Sequence, residues 1–422
     1  MDQKTPNILY TVRNDLCTGC GLCANVCPND AVSISVSQGN FRPKVDSARC
    51  KNLKGCHRCF DSCPGVGINL VDEARNLLND ANTKEDQLIG RYSHCYVGYS
   101  NDIDLRFHSA SGGCVSQFLI WLLENNKIDG AVVTKFEKNA PLMVKSFIAR
   151  NREDVISAKG SKYSPTSMPD VVRLIKEAQG TRFIVVGVPC QVEGLRKILA
   201  VDKPLREKIC GLFSVFCSGS RSFYFTEYVM KERKININDI EYLAYRDNGC
   251  LGGLVVKGPS VDYYEDYQSY CHPLRSIFIP RRCMLCVDHF GELSDISFGD
   301  IHVAPYDKDK VGVNSIVARN VYWNQLLKDA EAAGVLTLEN LNPSVLIASQ
   351  KMARVKKNRN ASFAMFLKKM RKPVPEYGSN YEGHVSFKTL LNYFQIRLQQ
   401  AVGRHKRLWP LIPLLKAKVN KR

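Results

Sequence analysis

The sequence predicts a small, cysteine-rich α+β domain, a larger α/β domain and a basic, partly helical C-terminal segment. Eight of the 17 cysteines lie within the first 70 residues. Short apolar runs then alternate with helical patterns, which favours an α/β domain. From residue 351 onward there are 18 Lys and Arg residues and two acidic residues, a net charge of +16. The three parts therefore differ in composition as well as in periodicity.

The overall composition is that of a folded, globular protein. The chain has 422 residues, 45% of them hydrophobic, which is enough for two or three domains with sizeable cores. Its apolar runs, such as 118–123 and 183–188, fall far short of the roughly 18 residues of a spanning helix. The first twenty residues include Lys4, Arg13 and Asp15 but no continuous apolar stretch, so we expect no secretory signal and a cytoplasmic location.

We divide the chain into four parts. Residues 1–75 form one domain, in which metal rather than a hydrophobic core holds the backbone. Residues 76–91 are a polar linker, 92–345 form the α/β domain, and 346–422 are the basic segment.

Strands and helices alternate along the α/β domain. Apolar runs with few charges predict strands, and apolar residues at three- and four-residue spacing predict helices. Gly334 follows the last helical pattern and is a typical helix stop. The predicted strands are 128–135, 182–187 and 311–319, and the predicted helices are 170–178, 192–199 and 323–333.

The first eight cysteines occur in two similar motifs. One has the spacing C-x2-C-x2-C-x3-C, and the other repeats its ending after a longer first gap; Pro28 or Pro64 follows each. Three thiolates of one tight loop ligate three corners of a 4Fe-4S cluster, while the fourth ligates the other cluster. The spacing thus predicts two clusters with crossed ligands, Cys17, Cys20, Cys23 and Cys63 for one and Cys27, Cys50, Cys56 and Cys59 for the other.

Zinc is the alternative, because it also accepts four thiolates. It does not explain two C-x2-C-x3-C-P endings, which are typical of iron–sulfur proteins. In a reducing compartment, clustered cysteines bind metal more often than they form disulfides. We therefore expect a ferredoxin-like iron–sulfur domain, which transfers single electrons and does no substrate chemistry itself.

Four further cysteines suggest a third redox centre. Cys283 and Cys286 form a C-x2-C pair, which alone is compatible with zinc, a redox disulfide or half of a cluster. Cys190 and Cys217 each follow an apolar run, and the carboxyl ends of strands gather at the ligand-binding edge of an α/β sheet. The four thiolates would then complete a cluster. The alternative is that Cys190 or Cys217 is a buried apolar residue.

Two short segments suggest a phosphate or ring-binding site. Small residues, Ser111, Gly112 and Gly113, precede an apolar helix, and helix starts of this kind leave N–H groups open to a phosphate. An ordinary helix N-cap is the alternative. In the second segment, Ser161 precedes Lys162 and Tyr163, whose side chains would neutralise a phosphate and stack on a ring. A solvated loop is the alternative there.

Several segments together resemble the coenzyme F-420 hydrogenase/dehydrogenase beta-subunit family. They occur in the family's order and are residues 89–100, 109–113, 128–133, 160–163, 187–191, 282–286, 295–300 and 312–319. The resemblance implies an iron–sulfur flavoprotein, with FAD beside a 4Fe-4S cluster. It also implies hydride exchange between the flavin and a deazaflavin or another organic acceptor. The α/β domain is then a flavoprotein domain.

The resemblance also implies residue roles. Ser111, Gly112 and Gly113 would lie at the FAD phosphates, and Ser161, Lys162 and Tyr163 would line the flavin or substrate pocket. The ligands of the third cluster would be the four cysteines named above, Cys190, Cys217, Cys283 and Cys286. Hydride chemistry belongs to the flavin, so no dedicated catalytic residue is assigned.

The basic segment points to an anionic partner. Trp409 lies among leucines and is flanked by Lys416 and Lys418, which is typical of a segment at an anionic membrane surface, here the inner membrane face. A solvated tail or a docking surface for an acidic subunit are the alternatives. Aromatic residues are too sparse for a nucleic-acid stacking platform, so no nucleic-acid partner is expected.

Three functional hypotheses follow from the sequence. The leading one is a flavin- and iron–sulfur-dependent oxidoreductase that exchanges electrons with a ferredoxin-like carrier or a redox partner subunit. The second is an electron-transfer subunit of a larger complex with no substrate site of its own. The third makes the ferredoxin-like domain a sensor and the basic segment its effector arm.

Overall fold

The computed structural model describes residues 6–80, 82–138, 140–274, 276–378, 381 and 383–416. Lys418 of the basic segment lies outside these residues. The amino-terminal domain contains helices α1 to α4 around one antiparallel pair, β1 and β2. Their bounds are α1 Leu9–Arg13, α2 Leu22–Asn25, β1 Val32–Ser37, β2 Asn40–Val45, α3 Arg58–Asp61 and α4 Leu70–Leu77.

The rest of the described chain contains thirteen strands and fourteen α-helices. The strands are β3 Lys84–Asp86, β4 Gly90–Tyr92, β5 His94–Ser100, β6 Gly130–Glu137, β7 Ala140–Ala149, β8 Phe183–Gly187, β9 Ile209–Val215, β10 Tyr242–Asp247, β11 Gly253–Gly258, β12 Val261–Asp266, β13 Ile296–Asp300, β14 Asn314–Ala318 and β15 Leu336–Asn340. The helices are α5 Ile103–Phe107, α6 Cys114–Glu124, α7 Arg152–Ser157, α8 Val171–Glu177, α9 Pro189–Val201, α10 Lys203–Lys208, α11 Phe223–Glu232, α12 Tyr267–Tyr270, α13 Val321–Ala332, α14 Pro343–Ser349, α15 Lys351–Val355, α16 Ala361–Lys369, α17 Phe387–Arg404 and α18 Ile412–Leu415.

An eight-stranded mixed sheet forms the centre of the molecule. Its strand order is β15-β5-β14-β13-β9-β8-β6-β7. Strands β6, β8, β9 and β13 are parallel, and β5 runs in the same direction because both β5 and β13 are antiparallel to β14. Five strands therefore present their carboxyl ends at one edge of the sheet, and the predicted α/β class is confirmed for this domain.

Alternating residues of the sheet face two separate cores. Ile184 and Phe213 belong to the core covered by α6 and α13, whereas Val185 and Leu212 belong to the core covered by α8 and α9. This alternation is the period of two expected for strands buried on both faces. The amino-terminal domain joins the second core through Leu22. The two domains consequently pack against each other directly.

The predicted elements of the α/β domain agree with the structure to within a few residues at their ends. The strands predicted at 128–135, 182–187 and 311–319 correspond to β6, β8 and β14, and the three predicted helices correspond to α8, α9 and α13. The region predicted as a linker contains the end of α4 and the short hairpin of β3 and β4.

The segment predicted as a basic tail is packed into the molecule over its first half. Helices α15 and α16 are joined by a π-helical segment at Lys356–Asn360. Phe363 of α16 is fully buried in a core shared with Leu16 of the amino-terminal domain and with Leu285. Trp409 is also buried, so it is not the residue that would enter a membrane. Within the described part of the chain, no helix combines the length and apolarity needed to cross a bilayer.

Candidate functional site

Four cysteines from two separate segments of the amino-terminal domain line one cavity. Cys17 and Cys20 lie in the loop before α2, Cys23 lies in α2, and Cys63 follows α3. Gly21 in this loop has a φ of +79°, a conformation that glycine adopts at little cost. These are the four cysteines that the motif spacing assigns to a shared cluster.

Burial and backbone amides dominate the surroundings of these thiols. Burial raises the pKa of Cys20 to about 11 and that of Cys63 to about 12. The amide of Gly19 donates to Cys17 Sγ at 3.4 Å, and that of Gly65 donates to Cys63 Sγ at 3.2 Å. Amides in this position stabilise ligating thiolates, whose protons the metal must displace. The donor set and its surroundings fit a 4Fe-4S cluster.

The other four cysteines of this domain line a second cavity. They are Cys27, Cys50, Cys56 and Cys59. All except Cys59 are half-buried, whereas the four cysteines of the first cavity are all buried. The amide of Ala31 donates to Cys27 Sγ at 3.2 Å. Despite the longer gap after Cys50, the four thiols surround one space, which fits the crossed ligation predicted from the spacing.

A third group of cysteines lies at the carboxyl edge of the large sheet. Cys190 follows β8, Cys217 follows β9, and Cys283 and Cys286 lie in and after a 3₁₀ turn at Arg281–Leu285. Burial raises the pKa of Cys283 to about 11, and nearby Cys217 and Cys286 add to this. Among the described residues, no three Cys, His, Asp or Glu side chains converge as they would around a single metal ion.

Lys356 lies against this third group, although it comes from the segment predicted as a tail. Its side chain is 1% exposed, and its Nζ donates to Cys286 Sγ at 3.4 Å and to Asp288 O at 2.6 Å. Burial opposes its charge, but neighbouring groups that include Cys286 raise its pKa overall. Asn360 donates to Cys286 O at 2.8 Å. The π-helical segment presents both residues, and such segments are frequent at functional sites.

Helix α9 joins the first cavity to the third group of cysteines. It packs against the turn that follows Cys63. Gly194 in this helix lies so close to Leu22 and Pro64 that a Cβ would come within 2.6 and 3.1 Å of their side chains. Arg282, next to Cys283 in sequence, is 1% exposed and donates to Pro64 O at 2.7 Å. The segments that carry the first cavity and the third group of cysteines therefore pack directly against each other.

Glu193 lies inside this junction. Its side chain is fully buried, and neither carboxylate oxygen has a hydrogen-bond partner among the described residues. Burial raises its pKa to about 7, against the opposing influence of Arg282. A single glutamate within a helix carries no sequence signal, so this residue was not predicted.

The predicted phosphate loop lies at the same edge of the sheet, beside β5 and β14. Ser111 Oγ donates to Val313 O at 2.7 Å, and a Cβ at Gly112 would come within 2.8 Å of Asn314 N. Gly113 has a φ of +75° and precedes α6, whose first amide donates to Asn314 Oδ1 at 3.0 Å. The close packing explains the glycines, and the phosphate role stays a prediction.

Lys162 turns back onto its own loop. Its ammonium donates to three carbonyl oxygens at the carboxyl end of α7, those of Ala158, Lys159 and Gly160. A lysine in this position satisfies carbonyl groups that the helix leaves unpaired. Ser161 is half-buried beside it. The side chain that was expected to meet a phosphate is thus engaged with the backbone.

Tyr163 belongs to a buried polar cluster at the carboxyl edge. Its ring centroid lies 5.5 Å from that of Tyr245. Arg246, the next residue, is 4% exposed and forms an ion pair with Asp300 at 2.5 Å. Burial opposes the charge of Asp300, but Arg246 lowers its pKa, and Ser111 contributes to this. The cluster therefore connects Tyr163 to Ser111, and Arg246 was missed because one arginine in a short strand forms no pattern.

Two histidines of the α/β domain, His108 and His289, have protein partners. His108 Nδ1 lies 2.8 Å from Asp247 Oδ1. His289 Nδ1 lies 3.1 Å from Cys217 O, and its Nε2 lies 3.0 Å from Gln350 Oε1. Burial lowers the pKa of His289 to about 4, so its ring is neutral at pH 7.

Family models match most of the two predicted domains. Residues 95–173 match the N-terminal model of the coenzyme F420 hydrogenase/dehydrogenase beta subunit. Residues 180–344 match the C-terminal model of the same beta-subunit family. Residues 16–68 match the 4Fe-4S dicluster domain. The dicluster match covers all eight cysteines of the first two cavities.

The chain is also similar in sequence or fold to individual proteins. The coenzyme F420-dependent sulfite reductase of Methanocaldococcus jannaschii is 26% identical over 82% of this chain, which spans half the length of that relative. One of the F(420)H(2) dehydrogenase subunits of Methanosarcina mazei is 27% identical over 70% of this chain and 78% of its own. A chain of the F420-reducing NiFe hydrogenase complex from Methanosarcina barkeri shares the fold, with a TM-score of 0.54 and 20% identity over 70% of this chain and 99% of its own.

Proposed function

The chain belongs to the coenzyme F420 hydrogenase/dehydrogenase beta-subunit family and carries a 4Fe-4S dicluster domain, and we propose that it is an iron–sulfur flavoprotein oxidoreductase. It passes electrons between a ferredoxin-like one-electron carrier and an organic hydride acceptor or donor. One observation carries this proposal: three groups of four cysteines lie in series and end at the carboxyl edge of an α/β sheet.

The order of the three groups of cysteines supports the entry of electrons from a carrier that docks at the second cavity. That cavity is the most exposed of the cysteine sites in the amino-terminal domain, and Lys51 and Arg58 line it. Two basic side chains suit an acidic carrier surface and favour its approach. The first cavity lies behind it and contacts the third group through α9 and Pro64.

The side chains around these groups would hold the cofactors in place. The twelve cysteines would supply thiolates, and the buried cations Lys356 and Arg282 offset the negative charge that those thiolates bring into the interior. When bound, the clusters pass single electrons and FAD exchanges them for hydride. The proposed ligands are Cys17, Cys20, Cys23, Cys27, Cys50, Cys56, Cys59, Cys63, Cys190, Cys217, Cys283 and Cys286.

The carboxyl edge of the sheet offers a place for FAD. The loop Ser111–Gly113 and the start of α6 would face its phosphates. Nucleotides bind at the carboxyl ends of the strands in α/β sheets, and helix N-termini bind phosphate groups. Tyr163 and the Arg246–Asp300 pair would border its ring system. Lys162 would act by fixing the loop that carries Tyr163, since its own ammonium binds backbone carbonyls.

The names of the relatives support a deazaflavin as the organic partner. The sulfite reductase, the dehydrogenase and the hydrogenase complex are all named for coenzyme F420. For this chain the acceptor would bind beside the flavin at the same sheet edge. We also propose a cytoplasmic location with peripheral contact at the inner membrane face through the basic segment, which is supported by its net charge of +16.

A second candidate is an electron-transfer subunit without a substrate site of its own. It is favoured by relatives that are named as subunits, one of F(420)H(2) dehydrogenase and the beta subunit of coenzyme F420 hydrogenase. The isolated chain would then reduce no deazaflavin and would act only when a redox partner subunit is added. Assaying deazaflavin reduction by the isolated holoprotein with reduced ferredoxin separates the two candidates.

Quantitation of iron, sulfide and released flavin on one anaerobic sample tests the leading proposal. We expect about 12 irons and about one FAD per chain, which corresponds to three 4Fe-4S clusters and one flavin. About eight irons without flavin would refute the enzyme and leave an electron carrier or sensor.

Cysteine variants test the third cluster separately. We expect the double variant Cys283→Ser, Cys286→Ser to lose about four irons while it keeps about eight. The matched control is Cys210→Ser, because Cys210 is exposed and lies in β9 away from the three groups. An unchanged iron content in the double variant would contradict the assignment.

A further inference from the structure

Helix α17 carries a row of apolar side chains that point into solvent. Phe387, Leu391, Phe394 and Leu398 are 76, 56, 59 and 59% exposed. Their spacing of four, three and four residues places them on one side of the helix. We call these four residues the α17 face. Holding four large apolar groups in water on one helix side is unfavourable, so the row suggests a partner.

The opposite side of α17 is anchored to the protein. Tyr393 is buried and its ring lies 5.5 Å from that of Phe363 in α16. Gln400 is also buried and donates to Ile279 O at 2.9 Å. Arg404 forms an ion pair with Asp15 at 2.9 Å. The helix is thus held in one orientation, and the α17 face is its outward side.

Basic residues lie on α17 and on the neighbouring segments. Phe366 of α16 lies 6.2 Å from Phe394, which brings the basic end of α16 close to the face. Lys388 lies on α17 itself. Five basic residues of these segments form no ion pair among the described residues, namely Lys369, Arg371, Lys372, Lys388 and Arg407. Five others do pair with acidic side chains, namely Lys368, Arg397, Arg404, Lys406 and Lys416.

A second set of exposed apolar residues continues the surface. Gln399 Nε2 donates to Leu415 O at 3.4 Å, so α18 lies beside α17. Leu408, Leu411 and Leu414 in and before α18 are 38, 46 and 83% exposed. Exposed apolar side chains therefore lie both on α17 and on the neighbouring segment 408–414.

We propose that the α17 face enters the headgroup region of an anionic lipid bilayer, with the neighbouring lysines and arginines on the lipid phosphates. The inference rests on the proposed peripheral contact and is independent of the redox chemistry. Apolar groups that stand out from the surface suit a fluid bilayer, which needs no preformed pocket to receive them. Long basic side chains reach the headgroups while their stems cover apolar surface. An acidic protein partner would instead need grooves matched to each protruding side chain.

Vesicle co-sedimentation of the full-length holoprotein tests the inference. We expect binding to phosphatidylcholine vesicles that contain phosphatidylglycerol and little binding to phosphatidylcholine alone. The double variant Leu391→Glu, Leu398→Glu should bind the anionic vesicles at least about tenfold more weakly, because it removes apolar contact and adds negative charge. Its iron content and visible absorption should equal those of the wild type, since neither residue contacts a cysteine site.

The matched control is Val201→Glu, which introduces a charge at an 82% exposed apolar position on α9. It should bind vesicles like the wild type. Absence of binding by the wild type would overturn both this inference and the proposed peripheral contact. Equal binding by the wild type and the double variant, with release of both by 0.5 M salt, would overturn only this inference and leave contact through charge alone.

Discussion

Lys356 places a buried positive charge 3.4 Å from the sulfur of Cys286. An ammonium at this distance lowers the energy of the site when an extra electron arrives, and burial weakens the screening by water. The residue would therefore raise the reduction potential of the proposed third cluster. It does not need to touch a substrate to affect the rate of electron transfer.

We expect the substitution Lys356→Met to lower the midpoint potential of the proposed third cluster by on the order of tens of millivolts. Methionine keeps the unbranched shape of the side chain and removes its charge. The measurement is an EPR-monitored redox titration of the holoprotein. Lys351→Met, on an exposed position of the same helical run, is the control and should leave the potential unchanged. Equal potentials in both variants would show that Lys356 has only a packing role.

Single residues of the candidate site differ in how far the sequence predicts them. The eight cysteines of the amino-terminal domain were predicted as ligands because metal ligation demands fixed spacing within short segments. Lys356, Glu193 and Arg246 were missed because their surroundings are built by segments that are distant in sequence. Lys162 was predicted from its residue type alone, and its type does not reveal that carbonyl groups of α7 would occupy its ammonium.

At the level of elements, β6, β8 and β14 and the helices α8, α9 and α13 were predicted, whereas β5, β13 and the strands β10 to β12 were not. Strand β8 is a continuous apolar run, and β14 is buried along its whole length. In β12, by contrast, half-buried and exposed residues alternate, and its tyrosines and acidic residues give no apolar run. The pairing of β10 to β12 depends on contacts across the sheet, which a single strand does not encode.

The loop before α2 is an element whose shape depends on contact with the α/β domain. A Cβ at Gly21 would come within 2.3 Å of Ser167 Oγ and 2.9 Å of Pro169 N. Gly55 has a similar φ of +84°, but a Cβ there would meet nothing within 4 Å. The two glycines share a backbone requirement and differ only in what surrounds them.

We expect Gly55→Ala to cost about 1–2 kcal/mol of unfolding free energy, because alanine is strained in the left-handed conformation. Gly21→Ala should cost roughly 1–3 kcal/mol more, because the methyl group also pushes the loop off Ser167. Chemical denaturation of both variants measures the difference. Equal losses of unfolding free energy in the two variants would mean that the contact between this loop and the α/β domain contributes nothing to stability.

At the scale of the whole molecule, the two domains differ in what stabilises them. The core of the amino-terminal domain is small and includes Cys23, Cys59 and Cys63. The α/β domain has two extended apolar cores around its sheet. The free energy of metal binding is therefore a large part of the folding stability of the first domain and a smaller part of that of the second.

We expect removal of iron by anaerobic chelation to abolish hydrogen-exchange protection in residues 16–68 and to leave most protection in β8 and β9. The physical reason is that the first domain loses its cross-links, while the sheet keeps its apolar contacts. Hydrogen exchange with mass spectrometry measures both regions in one sample. Equal loss of protection in the sheet would contradict this division and show one cooperative unit.

The absence of a side chain at Gly194 would also affect the rate of electron transfer. Electrons cross protein by tunnelling, and the tunnelling rate falls exponentially with the separation of the two centres. Gly194 lets α9 lie directly on Leu22 and Pro64. On the proposed electron path, this contact would set the separation between the first cavity and the third group of cysteines. With only a hydrogen atom at this position the two centres would stay close. A larger side chain there would push them apart and slow the transfer.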